Sequence, residues 1–413
     1  METLRVLFVS PYLPSLIRVR PYNLIHALAR RGHYITLLAL VPPGEDTSSL
    51  DSLRAWCQHV QTVPLPRWRT LWNGLHALFS QTPFQAAYSR SPEMTALIQR
   101  MRAGEKFDVV HIEHLRGAEL PGPPAGMNGT PTVFDSVDSI ALLFERAQRA
   151  APTWRSRLLA KLDLERTRHY EGRLLERYPR VLVTSPQDRD ALAGLSAGQN
   201  IDGRLLVLPN GVDLDYFTPL NVTRDPATLI FSGKMSYHAN VAAALDLAHQ
   251  VMPHVWSHLP DARLVIAGKD PVSELLALTA DPRITVTGTV PDLRPYLARA
   301  TVSVSSIRYG VGIQNKVLEA MAMATPVVTT SQTTTALQAQ PGRDLLVADI
   351  PQAIAETVVA LLTDDALRLR IGQAGRRYVE THHDWNAIAE KLEAVYWDVI
   401  AGTRQGQNNR TGG

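Results

Sequence analysis

The segment YGVGIQNKVLEAMAMATPVVT, residues 309–329, decides the fold prediction for the C-terminal half of the chain. Its two glycines, Gly310 and Gly312, permit a tight turn and a close approach of the backbone to a ligand. Residues 315–323 have the apolar spacing of a helix, and residues 327–328 predict a short strand. A glycine turn, a helix and a strand in this order are typical of a parallel α/β sheet.

The start of that helix carries side chains suited to a nucleoside diphosphate. The helix is predicted to begin near Gln314 or Asn315, where free N–H groups and the positive end of the dipole attract an anion. Lys316 lies in the first turn and can contact a phosphate. Glu319 shares its helix face, and its carboxylate can accept hydrogen bonds from ribose hydroxyls. The same pair also fits an ordinary Lys–Glu contact at an exposed helix start.

Alternating strand and helix patterns extend on both sides of this segment. Residues 4–9 predict a buried strand, residues 22–31 a helix that ends at Gly32, and residues 34–40 a second strand. An aperiodic stretch, residues 214–226, then separates two sets of predicted strands. The first set continues at 109–112, 132–134, 181–183 and 205–208, and the second comprises 229–231, 264–267, 284–286, 302–304, 327–328 and 345–347. Two such sets predict two doubly wound α/β domains with a ligand site in the cleft between them.

Composition narrows the class of protein. The chain has 413 residues, 45% of them hydrophobic, and a formal net charge of +3, so each half is long enough for its own core. Cys57 is the only cysteine, which excludes an internal disulfide and fits a reducing compartment. No segment approaches the roughly 20 apolar residues that cross a bilayer, and residues 1–10 lack a signal pattern. We therefore expect a cytoplasmic protein.

Basic charge is concentrated in one stretch. Residues 146–180 contain ten Lys or Arg and four Asp or Glu. Such a stretch is suited to peripheral contact with an acidic membrane surface or to a phosphorylated acceptor, and it equally fits a solvated helix face. Nucleic-acid binding is not expected, because no recognised motif or aromatic-interleaved basic patch is present. A dinucleotide-dependent dehydrogenase is disfavoured by the lack of G-x-G-x-x-G after a strand.

The segment 309–329 resembles the donor-binding signature of the retaining family 4 glycosyltransferases. The runs EAMA (residues 319–322) and PVV (residues 326–328) match the second half of that signature. The first carboxylate of the family pattern is replaced by Val311. A branch of the family with Gly-x-Gly-x-x-x-Lys-x-x-Glu is similar to this chain at Gly310, Gly312, Lys316 and Glu319. The resemblance implies the GT-B fold, in which two Rossmann-like domains face each other across a cleft.

Further stretches resemble the family in the same order along the chain. LPNGVD (residues 208–213) resembles the entry into the C-terminal domain, and FSGK (residues 231–234) the strand end where a basic residue meets the diphosphate. A second basic residue is expected six positions after Lys234, but Asn240 stands there, so one phosphate contact is expected from Lys316 or Arg308 instead. Residues 286–293 resemble the loop that holds the nucleobase. The implied donor-binding residues are Gly233, Lys234, Asn240, Val290, Gly310, Gly312, Ile313, Gln314, Asn315, Lys316 and Glu319.

The resemblance also implies a domain organisation. Residues 1–208 are expected to form the acceptor domain, and residues 209–384 the donor domain. A helix over residues 385–402 is expected to pack back on the first domain. The tail, residues 403–413, is rich in Gly, Asn and Arg and is predicted to be disordered.

In the N-terminal half, a loop without glycines follows the first strand, where the family often has a Gly-Gly loop. Arg18 or Arg20 can replace those backbone contacts by pairing with a phosphate or acceptor group, or can simply cap the loop before the helix. His111 and Glu113 share one strand face. We expect His114 or Glu113 to enter the cleft as a catalytic group, and His111 to be a core residue.

Asp135 and Asp138 follow the next predicted strand. These aspartates either bind acceptor hydroxyls or cap the following helix, with Ser136 or Asp138 as the N-cap. The cap is favoured for Asp138, and both roles stay open for Asp135. A zinc site is not expected, because the spacing of His111 and Glu113 provides no third ligand nearby.

The implied reaction moves a sugar from a nucleoside-diphosphate sugar to an acceptor hydroxyl with retention. Lys234 and Lys316 are expected to stabilise the leaving diphosphate, without a metal or other cofactor. The expected partners are the nucleotide-sugar and a saccharide or lipid-linked acceptor of polysaccharide or envelope glycan biosynthesis. Two alternatives remain: a nucleotide-sugar epimerase of the same architecture, and a non-catalytic sensor motivated by Val311 and Asn240.

Overall fold

The computed structural model describes residues 2–122, 129–150, 154–307 and 313–411, with the backbone alone for residues 147, 149–150, 154–162 and 404–411. The chain divides into two compact units. The N-terminal unit comprises Met1–Pro209 together with Trp385–Gly413, and the C-terminal unit comprises Asn210–Asp384.

The N-terminal unit is built on a parallel seven-stranded sheet with the order β3-β2-β1-β4-β5-β6-β7. Its central strands are covered on both faces, which explains why they are continuous apolar runs rather than alternating ones. The strands are β1 (Arg5–Ser10), β2 (Tyr34–Val41), β3 (His59–Pro64), β4 (Val109–Glu113), β5 (Thr132–Val137), β6 (Arg180–Val183) and β7 (Leu205–Val207).

Within the described ranges, ten α-helices of this unit precede β7 along the chain. They are α1 (Val19–Arg30), α2 (Leu50–Trp56), α3 (Arg67–Leu78), α4 (Phe84–Tyr88), α5 (Pro92–Gly104), α6 (His114–Gly117), α7 (Ile140–Ala150), α8 (Trp154–Gly172), α9 (Leu174–Arg177) and α10 (Pro186–Leu195).

The C-terminal unit repeats the design with a parallel six-stranded sheet of order β10-β9-β8-β11-β12-β13. Its strands are β8 (Thr228–Ser232), β9 (Arg263–Ala267), β10 (Ile284–Val286), β11 (Val302–Ser305), β12 (Val327–Thr329) and β13 (Leu346–Val347). Its helices are α11 (His238–Asp246), α12 (Met252–His258), α13 (Ser273–Leu276), α14 (Arg294–Arg299), α15 (Asn315–Ala322), α16 (Ser331–Leu337), α17 (Pro351–Thr363) and α18 (Asp365–His382).

One predicted helix is interrupted. The sequence predicts a single helix over residues 239–256, but a π-helical turn, Leu247–Val251, separates α11 from α12. Pro253 lies at the start of α12 and has no N–H to continue the helical hydrogen-bond ladder, which accounts for the irregular turn before it.

The last helix, α19 (Trp385–Thr411), packs in the N-terminal unit. Its buried Tyr396 and Leu392 join the core that contains Phe8 of β1, and Glu393 pairs with Arg31 at 2.7 Å. The prediction of a disordered tail from residue 403 is wrong up to Thr411, where the backbone remains helical. Extending an existing helix is easier than starting one, so the packed first half supports the polar end.

Both sheets have the same point of reversal. In each unit the strand order runs outward in two directions from the first strand, so the switch points lie between β1 and β4 and between β8 and β11. Ligands of doubly wound sheets bind beyond the carboxyl ends of the strands at such points. The two doubly wound folds predicted from the sequence are therefore confirmed. Among the helices of the described ranges, none combines the length and apolar character needed to span a bilayer.

Candidate functional site

In the C-terminal unit, the amine of Lys316 lies at the carboxyl end of β8. Its Nζ donates to Asn240 Oδ1 at 2.6 Å and sits 4.4 Å from the centroid of the Phe231 ring. Gly233 follows β8 with φ +149°, and a Cβ at this position would lie 3.1 Å from Nζ and 2.8 Å from Asn240 Nδ2. The packed amine therefore requires glycine at residue 233.

The pKa values of Lys316 and Glu319, both on α15, are strongly shifted. Burial lowers the pKa of Lys316 to about 7, although the charge of Glu319 opposes the shift. Burial likewise raises the pKa of Glu319 to about 7, against the effect of Lys316. Both side chains remain half-buried, so each can still be reached by a ligand. Shifted pKa values of this kind are common at functional sites.

Asn240 has a positioning role that sequence reasoning did not foresee. Besides accepting from Lys316, its Nδ2 donates to the backbone oxygen of Lys234 at 2.9 Å. It therefore joins the loop after β8 to α15. The Lys234 side chain itself is exposed, and its Nζ lies 3.9 Å from a carboxylate oxygen of Asp270, whose side chain is equally exposed.

Other predicted donor residues support the start of α15. Gln314 accepts from Ser305 Oγ at 2.7 Å and donates to Thr333 Oγ1 at 2.9 Å. Its amide is thus engaged between β11 and α16, and holds the helix start rather than offering a free group to a ligand. Ile313 is 8% exposed and belongs to the core.

Asn315 and Val290 complete the predicted donor residues that the structure describes. Asn315 Oδ1 accepts from Asn210 Nδ2 at 3.4 Å. Val290 is partly buried in the loop after β10. Gly310 and Gly312, like Arg308 and Val311, lie outside the described residues.

In the N-terminal unit, three buried titratable side chains meet between β4 and β5. His111 Nε2 lies 3.7 Å from Glu113 Oε2 and 3.9 Å from Asp135 Oδ2, and its Nδ1 is 2.9 Å from Tyr396 Oη of α19. The ring also stacks on Phe8, with a centroid separation of 4.3 Å. His111 is fully buried, as a core histidine is expected to be.

Arg20 and Asp135 are wrong as acceptor-binding residues, because they neutralise each other inside the unit. Arg20 Nε and Nη2 both contact Asp135 Oδ2, at 2.8 and 2.7 Å, and Nη1 donates to the oxygen of Pro209. Arg20 is 4% exposed and Asp135 is fully buried. Burial raises the pKa of Asp135, while the Arg20 charge lowers it.

The expectation that no third metal-ligand side chain lies near His111 and Glu113 is also wrong. Asp135 is the register partner of Glu113 in β5, and ligand atoms of the three residues lie within 4.8 Å of one another. The chemistry of this set nevertheless fits a divalent ion poorly. Arg20 already neutralises Asp135, and burial raises the pKa of Glu113 to about 7, so that this carboxyl is partly protonated near neutral pH.

Of the two catalytic candidates after β4, only His114 reaches the surface. Glu113 is fully buried and accepts from Tyr12 Oη at 3.4 Å, so its prediction as a cleft-facing group is wrong. His114 is half-buried, and its Nδ1 accepts from the backbone N–H of Arg116 at 3.1 Å. Burial and the charges of Arg116 and Arg18 lower the pKa of His114 to about 3, so the ring is neutral and carries its proton on Nε2.

Two arginines accompany His114 at this edge of the sheet. The Arg18 guanidinium lies 4.4 Å from the centroid of the Tyr12 ring. Arg116 donates from Nε to Gln85 Oε1 at 2.6 Å, and burial, followed by the Arg18 charge, lowers its pKa. Sequence reasoning missed Arg116, because nothing in the short stretch after β4 distinguishes it from a surface residue. Like charges held close together favour an anionic ligand.

The backbone at this edge is strained. His114, after β4, has φ +63°, and Val137, at the end of β5, has φ +68°. The left-handed region is unfavourable for non-glycine residues and most of all for a β-branched one. The β5–β6 register also shifts between Asp135 and Val137. Strain of this kind concentrates at functional sites.

Asp138 does not cap α7, although the sequence favoured it as the N-cap of this helix. Ser139 Oγ accepts from the N–H of Leu142, and the buried Glu171 of α8 accepts from the N–H groups of Ile140 and Ala141 at 2.7 and 3.2 Å. Asp138 instead accepts from Thr184 Oγ1. Long-range packing thus supplies the cap, which a local pattern does not reveal.

Comparisons with known proteins agree with these two units. Residues 17–211 match the family model "Glycosyl transferase 4-like domain", and residues 226–364 match "Glycosyl transferases group 1". Together the two models match well over half of the chain.

Two curated relatives and one solved structure show how far the similarity extends. The phosphatidyl-myo-inositol mannosyltransferase of Mycobacterium leprae is 22% identical over 411 residues, 96% of this chain and 97% of that protein. The capsular polysaccharide biosynthesis glycosyltransferase CapM of Staphylococcus aureus is 34% identical over 128 residues, 30% of this chain; the chain spans only 33% of CapM. Sucrose-phosphate synthase from Thermosynechococcus elongatus shares the fold with a TM-score of 0.71 at 18% identity, over 97% of this chain and all of that one. The chain therefore belongs to the family 4 glycosyltransferases and has the GT-B fold.

Proposed function

We propose that this protein transfers a sugar from a nucleoside-diphosphate sugar to an acceptor hydroxyl, with retention of the anomeric configuration. The observation that carries the proposal is the cluster of Gly233, Asn240 and Lys316 at the β8 switch point, with Glu319 one turn further along α15. A cation, a close backbone approach and an acid are the groups that a diphosphate and a ribose require.

In the proposed donor complex, Lys316 and the start of α15 bind the diphosphate, and Glu319 binds the ribose hydroxyls. An amine with a pKa of about 7 is only partly charged in the free protein. A nearby diphosphate favours the protonated form, so binding itself would charge Lys316 fully. Lys234, exposed at the same strand end, adds a second cation as the leaving group develops charge. In this proposal, these groups stabilise the leaving diphosphate without a metal ion.

We assign the acceptor to the N-terminal unit, at Arg18, His114 and Arg116. The neutral His114 donates from Nε2 and can orient a hydroxyl, while the two guanidinium groups suit an acceptor that carries phosphate. The mycobacterial relative is named for action on phosphatidyl-myo-inositol, and CapM for capsular polysaccharide. An acceptor of envelope glycan or polysaccharide biosynthesis is therefore proposed. The free, buried thiol of Cys57 fits a cytoplasmic location.

The donor assignment is tested by thermal shift with a panel of UDP-, GDP- and ADP-sugars. We expect one donor to stabilise the protein, and the Lys316→Ala and Glu319→Ala variants to lose that stabilisation. Glu356→Ala, which removes an exposed acid of the same unit, should behave as the wild type. Absence of a shift with every donor would overturn the donor site.

Turnover distinguishes transfer from the two alternatives. With the selected donor and a phosphoinositide or saccharide acceptor, we expect a glycosylated product whose anomeric proton coupling in NMR reports retention. Interconversion of nucleotide-sugars without acceptor would instead indicate an epimerase. Donor binding without turnover, across the acceptor panel, would indicate a sensor. Either result contradicts the proposal.

A further inference from the structure

Helix α3 presents its large apolar side chains to solvent. The exposed fractions range from 51% for Leu78 to 92% for Phe79, which directly follows the helix. At about 100° per residue, these positions fall on one face spanning about 120°. We call this surface the α3 stripe; it consists of Trp68, Leu71, Trp72, Leu75, Leu78 and Phe79.

The outward orientation is built into the packing of α3. Asn73, on the opposite face, is buried and donates from Nδ2 to the backbone oxygens of Tyr88 and Arg90 at 3.1 and 2.9 Å. Ala77 on the same face is fully buried. Rotating the helix to bury the stripe would break these hydrogen bonds and bring bulky side chains into a space that fits alanine. An apolar face held outward in this way indicates an interaction surface.

The charge around the α3 stripe identifies the kind of partner. Residues 52–92 contain four arginines and no Asp or Glu, although Arg54, Arg69 and Arg90 pair with Asp51, Glu93 and Glu119, which lie outside this range. Arg67 is exposed at the start of α3, and the Arg69 guanidinium lies 4.5 Å from the centroid of the Trp68 ring. At the other end, Arg166 of α8 donates to the backbone oxygens of Ala77 and Leu78. Apolar residues with tryptophan, flanked by arginine, match the boundary between acyl chains and anionic headgroups.

The basic stretch 146–180 offers less for such contact than its composition suggests. Apart from Arg166, which lies at the end of the α3 stripe, the described arginines of this stretch are engaged within the protein rather than presented to a partner. The ion pairs are Arg168 with Glu145, Arg173 with Glu176, Arg177 with Glu119 and Arg180 with Asp398.

We propose that the α3 stripe docks the N-terminal unit on an anionic lipid bilayer, with the helix lying in the plane of the headgroups. The surface is connected to the rest of the unit through α4. Asn73 binds the Tyr88 backbone at the end of α4, and Gln85 and Tyr88 of α4 contact Arg116. A docked bilayer would thus lie one helix from Arg116. Docking is a property beyond sugar transfer and is measurable without donor or acceptor.

Sedimentation with lipid vesicles tests the proposal. We expect the full chain to bind vesicles that contain about 30 mol% phosphatidylglycerol, and phosphatidylcholine vesicles more weakly. The Leu71→Glu/Trp72→Glu variant should bind about tenfold less. Leu369→Glu, at a residue 61% exposed on α18 of the C-terminal unit, is the matched control and should bind as the wild type. Arg67→Glu should lower binding to the anionic vesicles only.

A second measurement guards against misfolding of the charged variant. Brominated acyl chains quench tryptophans that enter the bilayer, so wild-type fluorescence should fall on binding. The Trp68→Phe/Trp72→Phe variant should still bind but show most of this quenching removed. Equal vesicle binding by the wild type and Leu71→Glu/Trp72→Glu would overturn the proposal. So would a wild-type dimer that this variant converts to monomer in light scattering, since a second copy would then cover the stripe.

Discussion

Replacing Glu319 by glutamine is expected to stabilise the C-terminal unit at alkaline pH and to weaken donor binding at the same time. Burial raises the pKa of Glu319 from 4.5 to about 7. The folded chain therefore retains a proton that the unfolded chain releases. The stability associated with this carboxyl is fully present below about pH 4.5 and is lost as the pH rises through about 7. Glutamine is neutral throughout and shows no such loss.

The size of the effect follows from the shift and the exposure. At about 1.4 kcal/mol per pKa unit, the shift of the Glu319 pKa from 4.5 to about 7 corresponds to at most about 3 kcal/mol in the free energy of unfolding. Because Glu319 is only half-buried, solvent screening reduces this to about 1–2 kcal/mol. For a unit of this size, the unfolding midpoint of Glu319→Gln should exceed that of the wild type by about 2–6 °C at about pH 8.5. At about pH 5 the two should nearly coincide.

Donor binding should change in the opposite direction. The carboxylate is proposed to form charge-assisted hydrogen bonds with the ribose, each of which contributes about 1.5–3 kcal/mol. Its loss predicts an increase in donor Kd of about ten- to a hundredfold.

Scanning calorimetry of the free protein and titration calorimetry with the selected donor provide the two readouts. Glu356→Gln serves as the control, since Glu356 is exposed on α17 of the same unit. A Glu319→Gln variant that is less stable than the wild type at about pH 8.5 would contradict the raised pKa of Glu319. A donor affinity that stays within about twofold would contradict the proposed ribose contact.

Three further predictions concern other parts of the molecule. Gly233→Ala should weaken donor binding about tenfold and cost about 1–3 kcal/mol, whereas Gly342→Ala, with φ +78° but open space around its Cβ, should cost about 1 kcal/mol and leave binding intact; calorimetry measures both, and equal binding losses would contradict the close packing at Gly233. The unfolding midpoint of the N-terminal unit should fall as the pH rises from about 5 to 7.5, because burial raises the pKa values of Glu113 and Glu171 to about 7; a flat calorimetric profile would contradict this. Arg116→Gln should raise the KM for a phosphate-bearing acceptor about tenfold while the donor KM stays constant, as steady-state kinetics with each substrate varied in turn would show.

The sequence alone was sufficient for the two doubly wound sheets and for the family. Each β-α-β unit is encoded locally, by apolar runs of strand length, helical periodicity and glycine at turns, and these signals do not depend on distant residues. The helix start that carries Lys316 and Glu319 is likewise predicted by a local sequence pattern. Its chemistry follows from the spacing of neighbouring residues on one short helix.

Contacts between distant residues were decided only in the tertiary structure. Arg20 and Asp135 are separated by 115 positions, yet they form a buried pair that removes both from acceptor binding. Asn240 and Lys316 are 76 positions apart. Asn240 stands where the family pattern has a basic residue, and the structure shows that it instead positions the amine of Lys316 by a hydrogen bond.

The orientation of whole faces was equally beyond the reach of sequence periodicity. The periodicity of α3 predicts an amphipathic helix but not which face is buried, and the hydrogen bonds of Asn73 direct its apolar face outward. Likewise, strand alternation places His111 and Glu113 on one face, whereas α19 packs on that face through Tyr396, and both side chains are buried. A local pattern specifies what a segment can form, while burial depends on which distant elements pack against it.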